Sequence, residues 1–196
     1  MIVSTSAPGR MSVVKELVAN DLAKHFLIEK PIETNVSNIK SMMKLLAGKS
    51  AFVNHPRRLM AWQKRIKKIV EKFDGIKCMI EHKDLALACN GSHFIDLVHW
   101  WTGQLPVSVN INENNSNWQP SKRDGFWDFY GEVSIEFDNG ASLIFLSSNN
   151  NNSNIIRLDS RNRVSGVIDE VRGSARFSSG NVIFGKNSPQ SELSGL

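Results

Sequence analysis

Lys30 and His93 are the side chains of this sequence whose types and settings best suit moving a proton. Lys30 lies in "FLIEKPIE", Phe26 to Glu33, where three large apolar residues run into a carboxylate, an ammonium and a proline. An ammonium at such a strand end lowers the cost of negative charge developing on a nearby oxygen, as when a hydroxyl loses its proton. His93 stands in "LACNGSHFIDLVHWWTG", and an imidazole, whose ordinary titration range lies near neutral pH, suits a general base. Cys78, His82, Cys89 and His93 also form a C-x3-H-x6-C-x3-H series. Zinc is not expected there. Cys78 and His82 fall in an expected strand, where residues four apart are separated by about 13 Å, too far for a tight zinc knuckle. His25, His55 and His99 have no partner at ligand spacing and are read as structural.

The elements that must position these residues change character along the chain. "MIVSTS" is a short β-branched run, and "RMSVVKELVANDLAKH" places Val13, Val14, Leu17, Val18 and Leu22 at helical spacing. "HFLIEKP" is a second buried strand; "ETNVSNIKSMMKLLAGK" follows as a helix with Thr34 as its N-cap and Gly48 as its stop. "SAFVNHPRR" is a third strand, and a basic helix follows it. Strands and helices in that order predict a parallel sheet with crossover helices. From Pro106 the texture is different. "VSVNINE", "GEVSIEF", "ASLIFLSS" and "NIIRLDS" alternate apolar and polar residues, and "FDNGAS" carries an Asn-Gly hairpin signal, so an antiparallel sheet with one solvated face is expected. Between the two lies the His93 segment, with Phe94, Leu97, Val98 and Trp101 as a helical stripe closed by Gly103. The tract "SSNNNNSN", Ser147 to Asn154, reads as a loop. The expected fold class is thus a partial Rossmann-type parallel sheet over residues 1–56, followed by an α+β domain with a mainly antiparallel sheet over 57–196.

The chain has 196 residues, 41% of them apolar, enough for one sizeable core or two small ones. Two cysteines make no disulfide framework, and "MIVSTSAPGRM" lacks the cationic start and apolar run of a signal peptide, so a reducing cytoplasm is expected. No apolar run reaches the eighteen or more residues that a membrane helix needs. Much of the net charge of +5 sits in "RRLMAWQKRIKKIVEKF", Arg57 to Phe73. Helical spacing aligns Leu59, Trp62, Ile66, Ile69, Val70 and Phe73 there, which leaves the cations as the solvated back of a packed helix. Nucleic acid is therefore not an expected partner, and neither is a membrane.

"EKP" after a buried strand, "RR" after "FVNHP", and "GSHFIDLVHWWTG" together resemble the Gfo/Idh/MocA oxidoreductases, which use NAD or NADP on sugars, cyclitols and related polyols. "LACNGSHFID" followed by "WQPSKRDGF" is similar to the branch found beside surface-polysaccharide genes. The resemblance implies that Ser4, Thr5, Glu29, Lys30 and Pro31 lie against the cofactor, with Pro31 often cis and Lys30 within reach of the reacting hydroxyl. His93 would be the general base. Where most of the family has an aspartate four residues before that histidine, this chain has Cys89, so Asn90 or Asp96 would have to orient the ring. "NWQPSKRDGF" then becomes a substrate loop, with Trp118 stacking on a sugar face and Lys122 and Arg123 pairing with a carboxylate or phosphate. A homo-oligomer through the C-terminal sheet also follows from the resemblance.

No G-x-G-x-x-G precedes the first strand, and no acidic residue is placed to bind an adenosine ribose. Measured against the family, two or more βαβ-sized units, on the order of 60 residues, are absent, and the tail "NSPQSELSGL" resembles a segment that continues into a last helix. The sequence reads as a fragment or shortened relative with poor affinity for a whole dinucleotide and a bare sheet edge at Ile2 and Val3. Two functions follow: an oxidoreductase, incomplete as given, or a residual binding or assembly module built on the second sheet.

Overall fold

The computed structural model describes residues 1–147 and 154–185. Most of the Asn-rich tract and the whole "NSPQSELSGL" tail lie outside the described residues. The chain divides into two compact units, Met1–His55 and Pro56–Leu196.

In the first unit, β1 (Ile2–Val3), α1 (Arg10–Ala19), β2 (His25–Ile28), α2 (Val36–Leu45) and β3 (Ser50–Val53) follow one another, and the three strands form a parallel sheet in the order β1-β2-β3. Val3 pairs with Ile28, and Ile28 with Val53. Val3, Phe26 and Ile28 from the sheet pack with Val14 of α1 and with Met42 and Leu46 from the end of α2, so both helices cover one face. That is what right-handed crossovers between successive neighbouring strands require. The other face carries Ile2, Leu27 and Phe52 in one cross-strand row, with Ile2 61% and Phe52 66% exposed.

Two local expectations shift. Leu22 is exposed and outside α1, because the chain leaves the helix at Ala19 and turns through Asp21, at φ 48°. The N-cap of α2 is Asn35 and not Thr34: its Oδ1 accepts the Ser37 amide at 2.8 Å. A one-residue shift of this kind is a contest between two good capping residues, which the first apolar position alone does not decide.

The second unit opens with a 3-10 turn, Pro56–Leu59, that takes "PRR" out of the expected third strand, and continues into α3 (Ala61–Val70), β4 (Ile76–His82) and α4 (Leu87–Thr102). Then come β5 (Pro106–Ile111), β6 (Asn117–Pro120), β7 (Trp127–Tyr130), β8 (Glu132–Phe137), β9 (Ser142–Ser147), β10 (Asn154–Ser160), β11 (Ser165–Asp169), β12 (Ser174–Phe177) and β13 (Val182–Phe184). Eight of these strands form one sheet in the order β13-β12-β11-β10-β4-β9-β8-β5, while β6 and β7 make a separate hairpin. Every pairing in the large sheet is antiparallel except β4 with β9.

Trp62, Ile66 and Val70 of α3 and Phe94, Leu97, Val98 and Trp101 of α4 pack on Ile80, Phe145, Leu158 and Ile168 of the sheet. Both helical stripes thus face the core as their spacing predicts, except that Leu59 lies in the 3-10 turn ahead of α3 and is exposed. Gly103 ends α4 in the left-handed region at φ 73°, and Gly140, at φ 85°, turns β8 into β9. "VSVNINE" differs from expectation. All six residues of β5 are exposed, and β5 is an end strand of the sheet. No helix among the described residues is long and apolar enough to cross a membrane.

Candidate functional site

The carboxyl ends of β1 and β2 bring most of the expected cofactor-side residues together. The Glu29 amide donates to the Val3 carbonyl at 3.0 Å, so Ser4–Thr5 and Glu29–Lys30 leave neighbouring strands side by side. Ser4 and Thr5 are exposed; Glu29, Lys30 and Pro31 are half-buried, and the Lys30–Pro31 peptide is cis. Ligands collect at such strand ends in α/β sheets.

This turn is held by residues that sequence reading missed. The buried Arg10 donates through Nη1 to the carbonyls of Glu29 and Pro31, and to that of Ile32 at 3.3 Å; its Nη2 donates to the Thr5 carbonyl. One guanidinium thereby ties the loop after β1 to the loop after β2. Burial lowers the Arg10 pKa, and the nearby Glu29 and Glu33 carboxylates oppose that shift. Glu33 is buried as well: one carboxylate oxygen accepts the Met11 amide at 3.2 Å and the other accepts the Thr34 amide at 3.1 Å. It thus caps the first turn of α1, where a carboxylate offsets the helix dipole. Glu29 Oε1 accepts from Asn54 Nδ2 at 2.6 Å, which links the turn to the end of β3. The charged end of "FLIEKPIE" is therefore largely an anchoring device, with Lys30 carried on it.

In the second unit, α4 carries Cys89, Asn90, His93 and Asp96. Cys89 is exposed and His93, one turn on and on the same face, is half-buried. The helix has no cap of its own at Ala86. Asp128, buried on β7, supplies one: its Oδ1 accepts the amides of Ala88 at 2.8 Å and Cys89 at 3.3 Å, as well as its neighbour Phe129 at 2.9 Å. Asp96 is engaged at both oxygens by Arg58, whose Nε and Nη2 donate at 2.7 and 2.5 Å. Next to it, Arg57 pairs with Glu170 at 2.9 and 2.8 Å and lies 4.3 Å over the Phe94 ring. The "RR" pair thus clamps α4 to the rest of the unit. Lys67 likewise donates to the Trp100 carbonyl at 2.6 Å and pairs with Glu71 at 3.0 Å.

Trp118 is not in a loop but in β6, paired with Phe129 and packed edge-on against its ring at 5.1 Å between centroids. Lys122 and Arg123 lie beyond it at the exposed tip of the hairpin. Trp118 borders an apolar cleft of about 270 Å³ lined by Leu87, Gly91 and Ile95 of α4 and Val109 and Ile111 of β5. At 100° per residue, that stripe of α4 lies roughly opposite His93, so the structure does not bring Trp118 to the face that carries the imidazole. Tyr130, at the end of β7, has its phenol pKa raised by burial first, and then by Asp128, Asp84 and Cys89. Of the expected zinc series, Cys78 faces the core, fully buried, and burial pushes its thiol pKa up. Among the described residues no three His, Cys, Asp or Glu side chains gather as metal ligands.

A parallel βαβαβ unit with loops at its strand ends is thus followed by helices laid on a mainly antiparallel sheet. Residues 79–180 match the family described as oxidoreductase family, C-terminal alpha/beta domain, and the chain belongs to these Gfo/Idh/MocA oxidoreductases. Among solved structures, UDP-N-acetylglucosamine 3-dehydrogenase from Acidithiobacillus ferrooxidans is similar with a TM-score of 0.71 and 12% identity, over 98% of this chain and 65% of that one. Aldose-aldose oxidoreductase from Caulobacter crescentus, complexed with glycerol, gives 0.68 and 19% over 96% of this chain and 63% of that one. A dehydrogenase from Clostridium difficile gives 0.66 and 14% over 98% and 64%. At such identities the likeness is one of fold, and the chain spans just under two thirds of their length. Curated protein sequences give no match.

Proposed function

We propose that this chain belongs to an NAD(P)-dependent oxidoreductase that oxidises a sugar or polyol hydroxyl by hydride transfer, with the segment 1–56 on the cofactor side and 57–196 on the substrate side. The observation that carries this reading is the Lys30 turn at the carboxyl edge of the parallel sheet, in a chain whose second unit belongs to an oxidoreductase family. Two of the similar structures, named for a UDP-amino sugar and for aldoses, support a polyhydroxylated substrate.

The residues present fit only part of a dinucleotide. The hydroxyls of Ser4 and Thr5 and the Lys30 ammonium, set side by side at the sheet edge, suit a nicotinamide and its ribose. The N-terminus of α1 does not suit a pyrophosphate, because the Glu33 carboxylate already takes the Met11 amide there. A nicotinamide held there would supply the hydride acceptor.

In the first unit Lys30 would lower the cost of negative charge developing on a reacting oxygen, and in the second His93 would serve as a general base. Asn90, beside Cys89 on α4, orients the substrate or the imidazole; Asp96 serves the same helix through Arg58. Trp118, Lys122 and Arg123 suit an outlying part of a large substrate, such as the nucleotide of a nucleotide sugar.

The test fuses the glycine-fingerprint segment of a family member ahead of Met1 and follows NAD(P)H absorbance over a panel of sugars and polyols. Lys30→Met is expected to lower kcat by about a hundredfold. His93→Ala is expected to remove the ionisation near neutral pH from the pH-rate profile, and Cys89→Asp to raise activity. Wild-type turnover in Lys30→Met, or an unchanged pH profile in His93→Ala, overturns the assignment of that residue.

A further inference from the structure

We propose that a cleft at the start of β4 is a second ligand site, built to hold a small phosphate monoester that also carries a free hydroxyl. The cleft, of about 280 Å³, is bordered by Gly75 and Lys77, by Gly140 and Ser142, and by Asp159 and Arg161. That volume is at the low end for ligand pockets, so it suits a small molecule. The cleft lies at the opposite end of β4 from the turn that leads into α4, a strand length of roughly 17 Å away.

The sheet sets three polar side chains in a row. In the register, Lys77 stands between Ser142 of β9 on one side and Asp159 of β10 on the other. Residues paired in this way project from the same face, about 4.8 Å from strand to strand. Arg161 completes the group from the turn after β10. Its amide donates to the Asp74 carbonyl at 2.8 Å, which fixes it to the turn between α3 and β4. Its side chain then passes over two glycines: a Cβ at Gly75 would stand 3.2 Å from Arg161 Nε, and one at Gly140 2.9 Å from Arg161 Nη2. Both glycines are in the left-handed region, at φ 63° and 85°. Two separate turns thus omit a side chain where the guanidinium lies.

These groups do not satisfy one another. Among the described residues, Lys77 and Arg161 have no carboxylate partner, Asp159 has no cation although Lys77 is its neighbour in the register, and the Ser142 hydroxyl has no hydrogen bond to protein. Two cations against one carboxylate favour a dianion. The guanidinium fork matches two phosphate oxygens, and the Lys77 ammonium meets the same group as a point charge. Asp159, when ionised, can only accept hydrogen bonds, so it opposes a bare phosphate and is satisfied by a hydroxyl on the same ligand. A phosphorylated polyol therefore answers all four side chains, whereas inorganic phosphate leaves Asp159 facing like charge. The proposal needs neither a cofactor nor Lys30 or His93, so its failure and that of the catalytic reading are separate.

The test follows the amide resonances of the full chain by NMR during titration with glycerol 3-phosphate, inorganic phosphate and glycerol. Glycerol 3-phosphate is expected to shift Gly75, Gly140 and Arg161 saturably, with a Kd on the order of 0.1 to 1 millimolar; inorganic phosphate should bind about tenfold more weakly, and glycerol should shift nothing. Arg161→Gln should weaken glycerol 3-phosphate by at least about tenfold, while Lys68→Gln, which removes the same charge from the exposed face of α3, should change it by less than about twofold. Asp159→Ala should strengthen inorganic phosphate and erase most of the preference for glycerol 3-phosphate. On the unaltered chain alone, no saturable shift below about 20 millimolar, or glycerol 3-phosphate no tighter than inorganic phosphate, overturns the proposal. So does an equal loss in Arg161→Gln and Lys68→Gln, or a preference that survives Asp159→Ala.

Discussion

The two units hold their candidate catalytic side chains by different physics. In Met1–His55 the apolar core is a small cluster under one face of a three-stranded sheet, and the Lys30 turn is fastened by polar groups: Arg10 on four carbonyls, Glu33 on two amides, Asn54 on Glu29. In Pro56–Leu196 the core draws on every strand of the large sheet except β5, and the His93 helix is seated chiefly by Phe94, Leu97, Val98 and Trp101. Burial is non-directional and grows with area, so a large sheet can seat a helix with apolar side chains alone. A small parallel unit has little area to bury, and charge-assisted hydrogen bonds define its loop instead. The units share one device: a buried carboxylate from a distant element, Glu33 or Asp128, caps the helix beside the candidate residue.

Three measurements break or sharpen this contrast. The largest effect is expected from Phe145→Ala in the second unit, where the ring packs edge-on against Phe94 at 6.2 Å. Such a truncation costs about 3–5 kcal/mol, read as a lower denaturant midpoint, while the large core keeps the sheet folded. A loss below about 1 kcal/mol would show that burial does not seat the helix.

Next comes Arg10→Met, which removes charged donors from several carbonyls at once. It is expected to cost about 2–3 kcal/mol and, because the unit's core is small, to accelerate amide exchange across β1, β2 and β3. Exchange at wild-type rates would make the clamp incidental.

The smallest effect concerns pH. Tyr130 is the sole tyrosine, so ultraviolet titration reads it alone. Its folded-state pKa is raised above the ordinary value of about 10, chiefly by burial, so the phenol should ionise with a midpoint above that value. The sign follows from linkage: the unfolded chain loses this proton first, so the contribution is fully present below about pH 10 and is lost as pH rises through the folded pKa. Tyr130→Phe should abolish that alkaline loss, and a midpoint at or below 10 would contradict the placement of Tyr130 beside Asp128 and Asp84.

Much of this architecture is legible in the chain itself, because the period of its apolar residues is a local property. The stripes of α3 and α4, the alternation in β8, β9 and β10, the Asn-Gly turn and the stop at Gly103 all depend on near neighbours, and so do the tripeptides that mark the family. What periodicity reports is which face of an element is apolar, not what lies across from it. Arg10 is one cation among 24, Glu33 and Asp128 are ordinary acids by type, and their partners stand 22 and 40 residues away. Trp118 belongs to a strand only because Phe129 returns beside it, and β5, which alternates as well as its neighbours, is exposed along its whole length at one end of the sheet. Caps, clamps and edges are relations between segments that meet after folding, so tertiary structure alone decided them, whereas helices and strands were already written in the spacing of single side chains.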